Sequence, residues 1–155
     1  MAQTQINTGR ANTEPMPNIL VSEIDHERLT SLAVAVEERA PEVAHVLQAE
    51  MDRARVVPAK ALPVHVVQMG STVEFQADTG PQRRATLVFP GEADLAAGRI
   101  SILTPIGAAL IGLSPGQSIP WTARDGRQHR LTVLSVAPPA GVAERAGFET
   151  ERSEQ

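Results

Sequence analysis

Three glutamates, Glu37, Glu38 and Glu42, fall within six positions of one another around an Arg39-Ala40-Pro41 break. Carboxylates gathered on a projecting tip could share a divalent cation with the active site of another macromolecule. The plainer reading makes Glu37 and Glu38 solvated side chains and Glu42 an acid favoured by the dipole of the helix it helps to open. Arg39 neutralises part of their charge, and the residues alone favour this second reading. The four histidines, His26, His45, His65 and His129, share no ligand spacing. His26 and His45 could face each other across a hairpin, although two solvated surface histidines are the simpler account. Ser71 and Ser101 lack a nucleophile elbow, and Lys60, the one lysine, reads as a surface residue. No phosphate-cradling glycine motif, zinc-helix motif or calcium loop occurs. The absence of cysteine excludes disulfides, iron–sulfur clusters, thiolate zinc sites and a cysteine nucleophile. No catalytic residue, metal or cofactor is assigned.

The elements that would position these residues must come from a chain of 155 residues, 42% of them hydrophobic, enough for one packed domain with an appendage. A net charge of −4, from 14 basic and 18 acidic side chains, leaves no surplus of cations for gripping phosphates. Phe75, Phe89, Phe148 and Trp121 are the whole aromatic set, too few for a base-stacking platform. Direct sequence-specific nucleic-acid binding is therefore not expected. No apolar run approaches the roughly 20 residues of a membrane span, and cysteine-free composition fits a cytoplasmic protein. Residues 1–18 are expected to be a disordered arm, and residues 138–155, rich in Pro, Ala, Gly and Glu, a disordered tail.

Between those ends the apolar period changes once. Leu29, Leu32, Ala33, Val36 and Ala40 form one helical stripe, and Val43, Leu47, Met51 and Ala54 a second. Ser22 and Asp25 suggest a capping box, and Pro41 suits the first turn of a new helix. The pattern predicts an antiparallel helical hairpin within residues 19–60, its first helix running from about Ser22 to Ala40. Such stripes are too short to stand without something further to pack on. The Pro58–Pro63 stretch is read as a linker from this prong to a β-rich body over residues 61–137.

There the period falls to two. Val64 and Val66, then Val73, Phe75 and Ala77, read as strand; Asp78-Thr79-Gly80-Pro81 is a turn. Strands follow at Ala85–Phe89, at Ile100–Leu103, up to Thr122, and at Arg130–Val136, with a short helix from Pro105 to Leu113 and a hairpin at Asp125-Gly126. The expected class is α+β: a helical hairpin followed by an antiparallel sheet carrying one short helix.

The run Thr104-Pro105-Ile106-Gly107-Ala108-Ala109-Leu110-Ile111-Gly112 resembles the signature of the C-terminal domain of bacterial Gre-type transcript-cleavage factors, a β-rich domain of FKBP-like fold. Gly70-Ser71-Thr72-Val73 looks like its first strand. A closer resemblance, over residues 19–136, is to the shorter regulator of nucleoside diphosphate kinase (Rnk) family. It is carried by Asp25–Leu29, Ala49–Ala54, Val66–Ser71, Leu87–Pro90, Gly98–Leu103, Trp121 and Asp125-Gly126, taken in order.

This resemblance implies a non-enzymatic regulator that binds RNA polymerase near its secondary channel. Gre-type factors dock a C-terminal domain on the channel rim while a long coiled coil carries acids to the catalytic magnesium. Members of the shorter class are expected to occupy the same entrance as monomers, without cleavage, and to compete with Gre factors. Thr104, Pro105, Ile106 and Gly107 match the rim-contacting loop; the competing reading is that Pro105 only starts a helix while Ile106, Leu110 and Ile111 fill the core. A helix of that length reaches about 28 Å, short of a deep active site, so Glu37, Glu38 and Glu42 are expected to stimulate no cleavage. Two alternatives remain: an active cleavage factor using those acids, and a peptidyl-prolyl isomerase suggested by the fold alone.

Overall fold

The computed structural model describes residues 16–78, 80–123 and 125–139; most of the expected arm and tail, and Thr79 of the expected turn, lie outside them. A strand, β1 (Leu20–Ser22), runs directly into helix α1 (Glu23–Val36). The Ser22 hydroxyl caps that helix by accepting the Asp25 N–H at 3.1 Å. The box is only half formed, because the Asp25 carboxylate turns away to another partner. Helix α1 stops at Val36 and not at Ala40 as expected. Pro41 disfavours helical backbone at the residue before it, and Ala40 is held non-helical at φ −144° and ψ 64°. The Ala40 N–H closes the last turn on the Val36 carbonyl at 2.8 Å. At 14 residues, α1 is about 21 Å long.

Helix α2 (Pro41–Arg53) begins with that proline and carries Glu42 in its first turn and Arg53 in its last. The helices are antiparallel: His26 lies 3.1 Å from the Met51 carbonyl at one end, while Glu37 and His45 lie 3.9 Å apart at the other. His26 and His45 therefore sit at opposite ends of the hairpin and do not face each other. A second strand, β2 (Arg55–Val57), pairs in parallel with β1, Leu20 opposite Arg55 and Ser22 opposite Val57. No strand is expected there from the sequence.

The remaining strands are β3 (Thr72–Ala77), β4 (Gln82–Val88), β5 (Arg99–Ser101), β6 (Ser118–Thr122) and β7 (Gln128–Ala137), with α3 (Pro105–Leu110) between β5 and β6. They form one sheet in the order β5-β4-β3-β7-β6. The α+β class is as expected, but the sheet is mixed where an antiparallel one was expected: β5 lies parallel to β4. The connection between them winds through two short 3₁₀ turns, Pro90–Glu92 and Leu95–Ala97, and parallel pairing requires such a crossover. The β3–β7 register shifts between Glu74 and Phe75, which face Ser135 and Val133. Leu134 is the extra residue of that bulge, and it is exposed. Val64 and Val66 form no strand; the Val66 N–H bonds back to the Pro63 carbonyl in a turn.

One hydrophobic core joins both halves. Leu29, Ala33, Leu47 and Met51 of the hairpin belong to the same buried cluster as Val73, Phe75, Leu87, Leu131 and Val133 of the sheet. Between them lie Ile19 and the segment after α3. Gly112, at φ +82°, lets these approach: a Cβ there would stand 2.6 Å from the Ile19 Cβ. The Leu20 N–H donates to the Gly112 carbonyl at 3.2 Å. The Pro58–Pro63 stretch is thus not the sole connection between prong and body, and each helix does not rely on its partner helix alone.

Leu47 is fully buried in this shared core, so Leu47→Ala should cost about 2–5 kcal/mol. Far-UV circular dichroism and Trp121 fluorescence should then lose signal in one coincident transition at a lowered midpoint. A hairpin that melts separately, or an unchanged midpoint, would contradict the shared core.

Candidate functional site

The tip of the hairpin is built by the turn that Pro41 imposes. Glu37, Glu38 and Glu42 are all exposed there, and Glu37 has His45 beside it at 3.9 Å. The acids do not converge: among the described residues, no group of three or more Asp, Glu or His side chains could hold a metal ion. The tip presents solvated negative charge, not a preformed cation cage.

The loop leading into α3 brings the other four sequence-selected residues together. Thr104 is its cap: the hydroxyl accepts the Gly107 N–H at 3.0 Å and donates to the Ser101 carbonyl at 2.7 Å. Pro105 occupies the first helical turn, where its missing N–H costs nothing. Gly107 is buried, and a Cβ on it would stand 2.1 Å from the Ser101 oxygen. Only glycine lets the start of α3 lie against the end of β5. Ile106 is half-buried and packs on the core. Thr104 and Gly107 therefore shape the loop, while Pro105 and Ile106 keep part of their surface in solvent.

Sequence reasoning missed a polar seam at the hairpin base. Asp25 is only 8% exposed, and its carboxylate accepts the Met69 N–H at 3.1 Å. Burial pushes its carboxyl above the ordinary range, against the opposing pull of that N–H and of the Arg28 charge. The Arg28 guanidinium itself lies 4.7 Å above the centre of the Phe89 ring. On α2, Glu50 is 5% exposed and is paired with Arg53 at 2.8 Å; Arg53 also donates to the Pro17 carbonyl. Burial raises the Glu50 carboxyl as well, with the Arg53 hydrogen bond and charge opposing. The available signal was positional. Asp25 precedes Leu29 by four and Glu50 follows Leu47 by three, so both acids extend the apolar stripes. On the sheet, His129 lies 3.3 Å from Asp78, and its ring centre is 5.1 Å from that of Trp121 at a 34° tilt.

An acid whose pKa is higher folded than unfolded binds more protons in the folded state, so its ionisation opposes folding as pH rises. Relative to Glu50→Gln, the unmutated chain should gain stability as pH is lowered from neutrality towards 4.5, the ordinary value of the carboxyl. Denaturation midpoints across that window check this; parallel pH profiles for the two proteins would contradict it.

Known proteins share these parts in the same order. The family model "Rnk N-terminus" matches residues 17–57, and "Transcription elongation factor, GreA/GreB, C-term" matches residues 62–138. The "Transcription elongation factor GreA" of Nitratidesulfovibrio vulgaris is 38% identical over 92 residues, 59% of this chain and 57% of that protein. A solved structure, "Prokaryotic transcription elongation factor GreA/GreB from Nitrosomonas europaea", superposes with a TM-score of 0.62 at 36% identity, covering 77% of this chain and 99% of that one. The "Regulator of nucleoside diphosphate kinase" of Escherichia coli (strain K12) is 35% identical over 121 residues, 77% of this chain and 89% of that protein. With a hairpin base, a Gre-type module and nearly the full length of that relative in common, the chain belongs to the regulator of nucleoside diphosphate kinase family, related to the Gre transcription elongation factors.

Proposed function

We propose that this protein is a non-enzymatic transcription regulator that binds RNA polymerase near the secondary channel and competes there with Gre-type factors, without stimulating transcript cleavage. Kinship with proteins named as transcription elongation factors supports the transcription-related part of this reading. The observation that carries the rest is the length of the prong. An α1 of 14 residues reaches about 21 Å, while cleavage of backtracked RNA needs acids placed beside a metal deep in the channel. Proximity dominates metal-assisted chemistry, so acids held at the wrong depth contribute nothing, whatever their number. The short prong still obstructs the entrance.

The docking surface in this reading is the loop Thr104–Gly107, with Pro105 and Ile106 offering the exposed part, on a module we take to be FKBP-like. The protein acts as a monomer in the cytoplasm. A cleavage-factor reading rests on Glu37, Glu38 and Glu42 alone, which among the described residues form no group of three able to hold a cation by themselves. A prolyl isomerase reading rests on fold likeness alone; Trp121, the one tryptophan, lies against His129, and the chain is poor in the aromatics such a pocket would use.

Purified core RNA polymerase should co-elute with the protein on gel filtration, and an excess of a Gre factor should displace it. Stalled, backtracked complexes should show no added RNA cleavage at catalytic concentrations of the protein. Failure to co-elute, or cleavage above background, would overturn the proposal. Pro105→Ala should fold normally and bind polymerase more weakly; unchanged affinity would remove the loop from the contact.

A further inference from the structure

β1 and β2 close the base of the prong, which meets the module through the shared apolar core and through the Leu20 N–H on the Gly112 carbonyl. A direction between two packed bodies is fixed more sharply when a second, directional tie lies away from the first. The first two turns of α1 supply that second tie. Asp25 accepts the Met69 N–H from the segment leading into β3, across 44 residues of sequence. One turn further, Arg28 lies over Phe89, just after β4. Apolar burial on the same face supplies attraction without direction of its own; a hydrogen bond and a cation over a ring add a preferred geometry.

We propose that Asp25, seconded by Arg28, is a positioning residue that fixes the direction of the helical hairpin relative to the Gre-type module. The Asp25 carboxylate is nearly enclosed, and a buried N–H deprived of its acceptor is costly. The module therefore holds the first turn of α1 in one place. The consequence for partner binding rests on the polymerase reading above: a prong that must enter a channel while its module grips the rim needs one direction, and time spent in others weakens binding in proportion.

The absence of cysteine makes spin labelling unambiguous. Labels at Val34→Cys, exposed near the end of α1, and Gln76→Cys, exposed on β3, report the prong direction as an interspin distance by pulsed electron paramagnetic resonance. The parent should give one narrow distribution. Asp25→Ala should broaden it, and Asp25→Asn should restore it, because the amide oxygen still accepts the Met69 N–H. In unlabelled proteins, Asp25→Ala should compete with a Gre factor about tenfold less well, as expected if the productive direction is held a tenth of the time. An Asp25→Ala distribution as narrow as the parent's overturns the proposal, as does an Asp25→Asn distribution as broad as that of Asp25→Ala. Should Asp25→Ala not fold, Arg28→Ala carries the same test: broadening supports the tie and parental width overturns it. The distance needs no polymerase, so a protein that ignores polymerase sinks the functional reading and leaves this one standing.

Discussion

Helices of 14 and 13 residues are marginal in water on propensity alone, and two of them side by side leave each stripe only half covered. The hairpin must therefore bury its inner face against something larger. The rest of the structure follows from that requirement. Ile19, Leu29, Leu47 and Met51 join the sheet residues in one cluster, and the close approach this demands is made at Gly112, where any side chain would strike Ile19. A longer coiled coil could stabilise itself along its own seam. A short one is obliged to become part of its module.

Burying acids in such a seam opposes folding, because desolvation disfavours the charged form. Replacing buried ion pairs by apolar side chains is often neutral or stabilising. Asp25 and Glu50 persist in the seam with few but directional partners: the Met69 N–H for one, Arg53 for the other. Leucine at either site would bury more apolar area and specify less. Glu50 and Arg53 pair within α2, so the bond that crosses to the module is that of Asp25 with the Met69 N–H, and it is there that the register proposed above would be set.

Much of this was legible in the sequence. The helical stripes, the capping serine, Pro41 as a helix start, and the strands around Phe75, Leu87, Ile119 and Leu131 rest on local periodicity and turn chemistry, which act over a few residues. What escaped is non-local or too short to have a period. The three-residue strands β1 and β2 exist because the hairpin brings their ends together. The parallel entry of β5 is decided by the path of its crossover, and no residue of Arg99–Ser101 announces it. The early end of α1 was readable in principle, since the restriction Pro41 places on Ala40 is local; the apolar stripe through Ala40 obscured it. The loop at Thr104–Gly107 was found by resemblance. Its construction, with the Gly107 backbone against Ser101, belongs to packing.

The tip shows how much a reading of function adds to side-chain type. Glu37, Glu38 and Glu42 have the chemistry to ligate a divalent cation, and nothing in their composition forbids it. Their geometry differs on two separate counts. The turn set by Pro41 spreads them over the end of α1, the loop and the first turn of α2, so no three ligating groups converge. The helix beneath them ends after 14 residues, about 21 Å from its start, which on the proposed polymerase reading keeps the tip from a deep site. Adding acids would change neither fact, whereas adding turns to both helices would change the second and remove the dependence on the module that shortness imposes. Prong length thus ties together two properties that look independent, how deep the tip reaches and how firmly the base must be held.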